Sequence, residues 1–386
     1  MNSYRSSRRS FIKSTAAVAA LSAFKSFAQP VVSSKPLYMD GLCFLPDDLN
    51  DLKKSEIDAY ICDISDIEAI KQPDGTTNYK RTYKACIKSI VAAQKRVLSN
   101  SNKLIAGLYG KDIQRAFIDH KTAVFFQIQG ADCVEAKTLT QSWQQLNNLY
   151  NHGLRVLQLT HHYGNKFSGG ALDNANNHSL NKPLTPNGIK LIHQLNHKNV
   201  LIDVSHSSPQ SALDAARLSK SPIIQSHGAC RAIVNNARCS PDEVIKAIAD
   251  TGGTFGVFMM SFWLTNNKTP TPTDYINQIK HVVKVGGIDA ATIANDYPLK
   301  GQKNLIKLHN NNKEGVKQYL DWWHSLRAKN VLGFDVEPEH VVIPEFNSIH
   351  RMERIDHELT KAGFSASNRD KIMGKNLQRV LTEVLV

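Results

Sequence analysis

Eight short, β-favouring apolar runs recur between residues 37 and 296, each separated from the next by an amphipathic stretch. They are Leu37–Asp40, Ala59–Ile64, Ala123–Gln129, Arg155–His161, Val200–His206, Pro222–His227, Gly253–Met260 and Ala290–Asp296. When strand and helix alternate, the helix carries the chain back to the end where it started, so successive strands pair in parallel. Parallel strands are covered on both faces, which is why each reads as a nearly continuous apolar run. Eight such units in one chain predict an α/β fold, a closed (β/α)8 TIM-like barrel. A ninth apolar run, Leu104–Tyr109, exceeds the count and is expected as an extra edge element before the third strand.

The intervening stretches carry helix signals. Ile189–Asn199 follows Thr185-Pro186, Pro209–Ser219 follows Ser207-Ser208, and Pro241–Thr251 follows Ser240. In each, a hydroxyl residue can cap the first turn and proline sits at or near it. Gly252-Gly253 supplies a C-terminal stop. A long insertion, about residues 299–336, follows the eighth run, and its polar stretch His309-Asn310-Asn311-Asn312 reads as a loop. The tail from Ile343 to Val386 reads as helices, with Glu353–Lys361 and Asn368–Val384 amphipathic.

The chain begins with a basic segment holding Arg8-Arg9-Ser10-Phe11-Ile12-Lys13, then an apolar stretch from Ala16 to Phe24, then Ser26-Phe27-Ala28. A basic start, a short apolar middle and a small-x-small end form a secretory leader. The paired arginines followed by Phe-Ile-Lys point to the twin-arginine export signal and its machinery. The expected organisation is a leader at residues 1–28 and a single barrel domain at 29–386, exported to the periplasm or secreted. The five cations of the leader account for part of the net charge of +13, leaving +8 spread over the remainder. With no basic run interleaved with aromatics, nucleic-acid binding is not expected. No apolar run is long enough to span a membrane. Six cysteines lie scattered without a CxxC pair; most are expected as buried thiols, and Cys230 and Cys239 are near enough in sequence to be candidates for pairing.

In such barrels function collects at the carboxyl ends of the strands. Here those ends are polar: His161-His162 after the fourth, Ser205-His206 after the fifth, Ser226-His227 in the sixth and Asn295-Asp296 in the eighth. A lone histidine is more often a hydrogen-bonded structural residue than a ligand. Three histidines and an aspartate converging on one mouth are a different matter, because neutral imidazole and carboxylate suit a zinc-like ion. His178, His309 and His350 fall in loop-like segments and are expected at the surface.

The segment from Gly153 to Val257 resembles the membrane (renal-type) dipeptidases, peptidase family M19, zinc-dependent hydrolases on a barrel. The resemblance rests on Leu159-Thr160-His161 with Asn165, Leu184-Thr185-Pro186-Asn187-Gly188, Ile202-Asp203-Val204-Ser205-His206, Ser226-His227-Gly228, Arg238 and Gly252-Gly253. It continues through Gly287-Ile288-Asp289 to Asp296 and the tail Gly374-Lys375-Asn376-Leu377-Gln378-Arg379-Val380. It implies a small peptide substrate, two zinc ions bridged by a glutamate, and often a dimer. By position, it makes His206 and His227 ligands of the second zinc. Asp296 becomes the proton-moving aspartate, His161 the residue that steadies the tetrahedral intermediate, and Arg238 the grip on the substrate carboxylate, a task suited to a guanidinium. Some animal members are lipid-anchored at the carboxyl end; the charged, amphipathic tail here predicts no membrane anchor.

The sequence departs from that pattern at the first zinc. Where the family has a His-x-Asp pair, this chain has Leu42 and Phe44, and in place of the bridging glutamate it has Gln129 before Gly130. Leu and Phe offer no ligand atom, and an amide is not an anion. The remaining set is His206, His227 and Asp296, with the Gln129 carbonyl as a weaker addition, enough for one zinc ion rather than two. Cys43, Asp63 and Asp66 are nearby substitutes, each more ordinarily a packing or capping residue. Three readings stay open: a one-metal dipeptidase-like hydrolase, an inactive relative that binds a peptide or assists maturation of an exported product, and a different reaction on the same barrel.

Overall fold

The computed structural model describes residues 36–71, 77–175, 178–301 and 313–386; the leader and the His309–Asn312 loop lie outside the described residues. Eight parallel strands run in the order of the chain around a nearly closed barrel: β1 (Met39–Cys43), β2 (Ala59–Asp63), β3 (Thr122–Ile128), β4 (Leu154–Gln158), β5 (Leu201–Asp203), β6 (Ile224–Gly228), β7 (Thr254–Val257) and β8 (Ala291–Ile293). Each expected run overlaps one of them, the first only at Met39 and Asp40. The ninth run is also a strand, Leu104–Ala106, and pairs with β3 from the side.

The barrel strands are buried almost throughout, and successive side chains alternate between two core clusters as a barrel wall requires. Ala59, Ile61, Ala123, Phe125, Val156 and Ile224 share one core cluster, and Tyr60, Cys62, Val124, Phe126 and Leu157 belong to the other, which packs under the helices. Leu377, Val380, Leu381 and Val384 of the C-terminal helix join the first cluster beside Met39 and Ala59, at the start of the strands. That end of the barrel is therefore filled, and the carboxyl ends of the strands are left for chemistry.

Hydrogen-bonded ladders join every neighbour except β1 and β8. The seam between them is held by a side chain. The fully buried Asp40 carboxylate accepts from the backbone N–H of Asn295 at 2.8 Å, from Asn295 Nδ2 at 2.5 Å and from Leu42 N–H at 3.0 Å. One backbone bond, from Asp296 N–H to the Leu42 carbonyl at 2.8 Å, lies just beyond it.

The caps act as the sequence suggests. Thr185 accepts from Gly188 N–H at the start of Pro186–His197, and Ser208 accepts from Ser211 N–H at the start of Pro209–Leu218. In the third helix Pro241 is itself the cap and Asp242–Asp250 is helical. The insertion contains a helix, Lys313–Arg327. The expected Asn368–Val384 helix is instead broken into Ala366–Asp370, a wide π turn at Lys371–Lys375, and Asn376–Val384. Within this turn the Leu37 carbonyl approaches Gly374 so closely that a Cβ there would lie 2.3 Å from it. Asn376 then turns inward and donates to the carbonyls of Ile288 and Ala291.

Candidate functional site

Four histidines meet at the carboxyl ends of β4, β5 and β6. β5 stops at Asp203, so His206 stands in the following loop rather than in the strand, as does His161 after β4; His227 lies within β6. Among the described residues, seven non-glycine positions have left-handed backbones. Glu56, His120, Asn199 and Asn330 follow helix ends, where that conformation is an ordinary cap. The other three are His162 (φ 62°), His206 (φ 62°) and Asp296 (φ 50°), all after barrel strands at the mouth. Such backbones cost of order 1 kcal/mol or more each, and they collect where side chains must be aimed.

His206 is the hub. Its Nε2 lies 2.7 Å from His227 Nε2, and its Nδ1 lies 3.0 Å from His162 Nδ1. His161 stacks on the His206 ring with centroids 4.3 Å apart. Ring nitrogens of His161, His162 and His206 all fall within 4.8 Å of one another. His162 was not singled out from the sequence, although it follows His161 directly; its signal was the doubled histidine at a strand end. Its outer face meets the Trp322 ring of the Lys313–Arg327 helix, centroids 5.5 Å apart.

Burial holds all four imidazoles neutral, well below the usual histidine range. For His162, His206 and His227 the Arg238 guanidinium is the next cause. Arg238 is 2% exposed. It lies over the rings of Phe258 and Trp263 at 5.2 and 5.6 Å, reaches the His227 carbonyl only at 3.4 Å, and its Nε has no partner. Burial lowers it to about 10, so it remains a cation at neutral pH. Burial likewise pushes the Asp296 carboxyl up to about 7, with Arg238 pulling against it.

The remaining sequence candidates fall as follows. Gln129 donates its amide Nε2 to Asp63 at 2.9 Å, which leaves only its carbonyl for other work. Asp63 also accepts from the backbone and hydroxyl of Ser65. Leu42 is fully buried, and Phe44 is half-buried. Cys43 packs with its thiol toward the Tyr297 carbonyl at 3.5 Å, and burial raises it well above the ordinary thiol range. Asp66 is exposed and accepts from Ile67 N–H. All six cysteines are buried free thiols, so the suggested Cys230–Cys239 pairing is not made; Cys230 faces the Gln278 carbonyl and Cys239 that of Trp263. His178 and His350 are exposed, as expected.

A zinc-like ion needs neutral nitrogen ligands, shelter from water and an outer group orienting each ring. The buried, uncharged His206 and His227 meet these terms. Two nitrogens on one tetrahedral ion at its usual bond length stand about 3.3 Å apart, so a modest parting of the two rings accommodates it.

Residues 48–322 match the family described as membrane dipeptidase (peptidase family M19). A dipeptidase of the fungus Claviceps purpurea, tcpJ, is 27% identical over 278 residues, 71% of this chain and 53% of the relative; the chain thus spans about half the length of that protein. Among solved structures, an amidohydrolase from Pseudomonas aeruginosa superposes with a TM-score of 0.70 at 22% identity, over 91% of this chain and 97% of that one. The probable dipeptidase PvdM of the same organism gives 0.68 at 17%, over 91% and 96%. The structural likenesses establish the fold, an eight-stranded parallel α/β barrel.

Proposed function

Because the chain belongs to the membrane dipeptidase family, peptidase M19, we propose that it is a hydrolase of a dipeptide or related small amide, working with one zinc-like ion held at His206 and His227. The observation that carries this reading is the convergence of those two Nε2 atoms, 2.7 Å apart and buried, from the ends of adjacent strands. Asp296 and, more weakly, the Gln129 carbonyl are proposed as further donors, while the ligand atoms that lie within 4.8 Å of one another among the described residues are those of His161, His162 and His206.

A bound ion would supply an acidified water and a polarised carbonyl. The protein's own groups do the rest. Arg238, buried and short of partners, binds the free carboxylate of the substrate and so places the scissile amide over the histidines. Asp296, at the same mouth, takes a proton from the attacking water and returns it to the leaving amine. His161, neutral and stacked on His206, donates toward the oxygen that becomes negative.

The expected result with purified protein is turnover of some members of a dipeptide panel, lost on chelation and restored by zinc, manganese or cobalt. Turnover indifferent to chelators, or none with any of these ions, would remove the reading. Leu42, Phe44 and Gln129 favour a second one, an inactive relative that keeps a peptide-shaped pocket. In that case a dipeptide binds without being cleaved, with or without metal.

A further inference from the structure

A buried carboxylate stands behind His227 and is not used in the reaction above. Asp203 is fully buried at the end of β5. One of its oxygens accepts from Gln127 Nε2 and Ser226 Oγ, each at 2.5 Å. The other accepts from the N–H and Oγ of Ser205, at 2.8 and 2.7 Å, and from the Ser226 N–H at 3.0 Å. Two backbone amides and a side-chain amide nitrogen can only donate, so the carboxylate is an acceptor on both oxygens.

This fixes the protons further along. Ser226 has one hydroxyl proton, and of its oxygen partners the Asp203 carboxylate at 2.5 Å takes it, over Ser205 Oγ at 3.1 Å, which gives its own proton to the other Asp203 oxygen. Ser226 Oγ also lies 2.8 Å from His227 Nδ1. With its own proton spent, the hydroxyl can only accept there, so the proton on that bond is the ring's. His227 then carries its single proton on Nδ1 and leaves Nε2 unprotonated; the proton shared with His206 Nε2, 2.7 Å away, belongs to His206 until a cation takes its place.

We propose that Asp203 is a positioning residue which, through Ser226, holds His227 in the Nδ1–H tautomer so that Nε2 is free to bind a cation. The opposite tautomer would point an N–H at the ion. A ring held from behind by a carboxylate is a recurrent device at metal sites, here with a serine hydroxyl interposed. The functional meaning rests on the hydrolase reading, but the tautomer itself does not.

Long-range proton–nitrogen correlation spectra of metal-free, ¹⁵N-histidine-labelled protein test this, with the His227 signals assigned by their loss in His227→Gln. The expected spectrum shows a protonated Nδ1 and a bare Nε2. Ser226→Ala, a small change that leaves both Ser205 bonds to Asp203, is expected to let Nε2–H appear and to weaken zinc binding about 10- to 100-fold. Ser226→Thr, which keeps the hydroxyl, restores both. A protonated Nε2 in the unaltered protein overturns the proposal whatever the variants do. So does a Ser226→Ala protein with unchanged tautomer and zinc affinity. An Nδ1–H tautomer in a protein that never binds zinc would uphold the relay and remove the hydrolase reading instead.

Discussion

Arg238→Met is expected to lower kcat/KM for a free dipeptide by about 10²- to 10³-fold, the loss of a buried charge pair worth roughly 3–5 kcal/mol. The loss should fall mainly on KM, because the carboxylate that Arg238 holds is present before and after the chemical step. Methionine keeps most of the packing against Phe258 and Trp263, so the change removes charge rather than volume. The sharper readout is the substrate itself. Unaltered protein should prefer a free dipeptide to its C-terminal amide, and the variant should lose that preference. Arg238→Lys should rescue little, since an ammonium cannot reproduce the planar fork. A variant that keeps the preference would show that the carboxylate is bound elsewhere.

Asp40→Ala is expected to be the most damaging single change to the fold. It strips partners from three buried donors, Asn295 N–H, Asn295 Nδ2 and Leu42 N–H, at the one seam without a ladder. Each orphaned donor costs about 1–3 kcal/mol, so the sum reaches a large part of the 5–15 kcal/mol that usually holds a domain together. The buried Arg351 guanidinium would also lose the nearby negative charge of Asp40. The unfolding midpoint in urea should drop steeply, or the protein should fail to accumulate. Asp40→Asn, which keeps one acceptor oxygen, should fall between. A midpoint within 1 M of the unaltered protein would mean the seam is closed by something other than Asp40.

The barrel was legible because its signal is repetitive: eight apolar runs spaced by capped helices leave few alternatives, and all eight overlap a strand. What the pattern could not supply was the exact end of each strand. The run Val200–His206 looks continuous, yet the ladder stops at Asp203 and His206 turns through a left-handed backbone. The close approach of the Leu37 carbonyl to Gly374 inside the π turn was hidden for a similar reason, since the two are remote in sequence. At the site, His206 and His227 could be named from their motifs. His162 could not be weighed, because a second histidine in a row carries no direction until the backbone is known. Asp203 was visible only as part of a matching string; its bonds to Ser226 and Gln127 need the sheet to bring β3, β5 and β6 together. The suggested Cys230–Cys239 pairing failed because sequence closeness says nothing about where a thiol points.

The central claim is that His206 and His227 jointly hold a metal ion. Its most direct test is the metal content of purified, full-length protein by mass spectrometry, beside His206→Ala and His227→Ala. About one zinc-like ion per chain in the unaltered protein, and close to none in either variant, is the predicted result. A metal-free protein after supply of excess zinc, or variants that retain the ion, would contradict it.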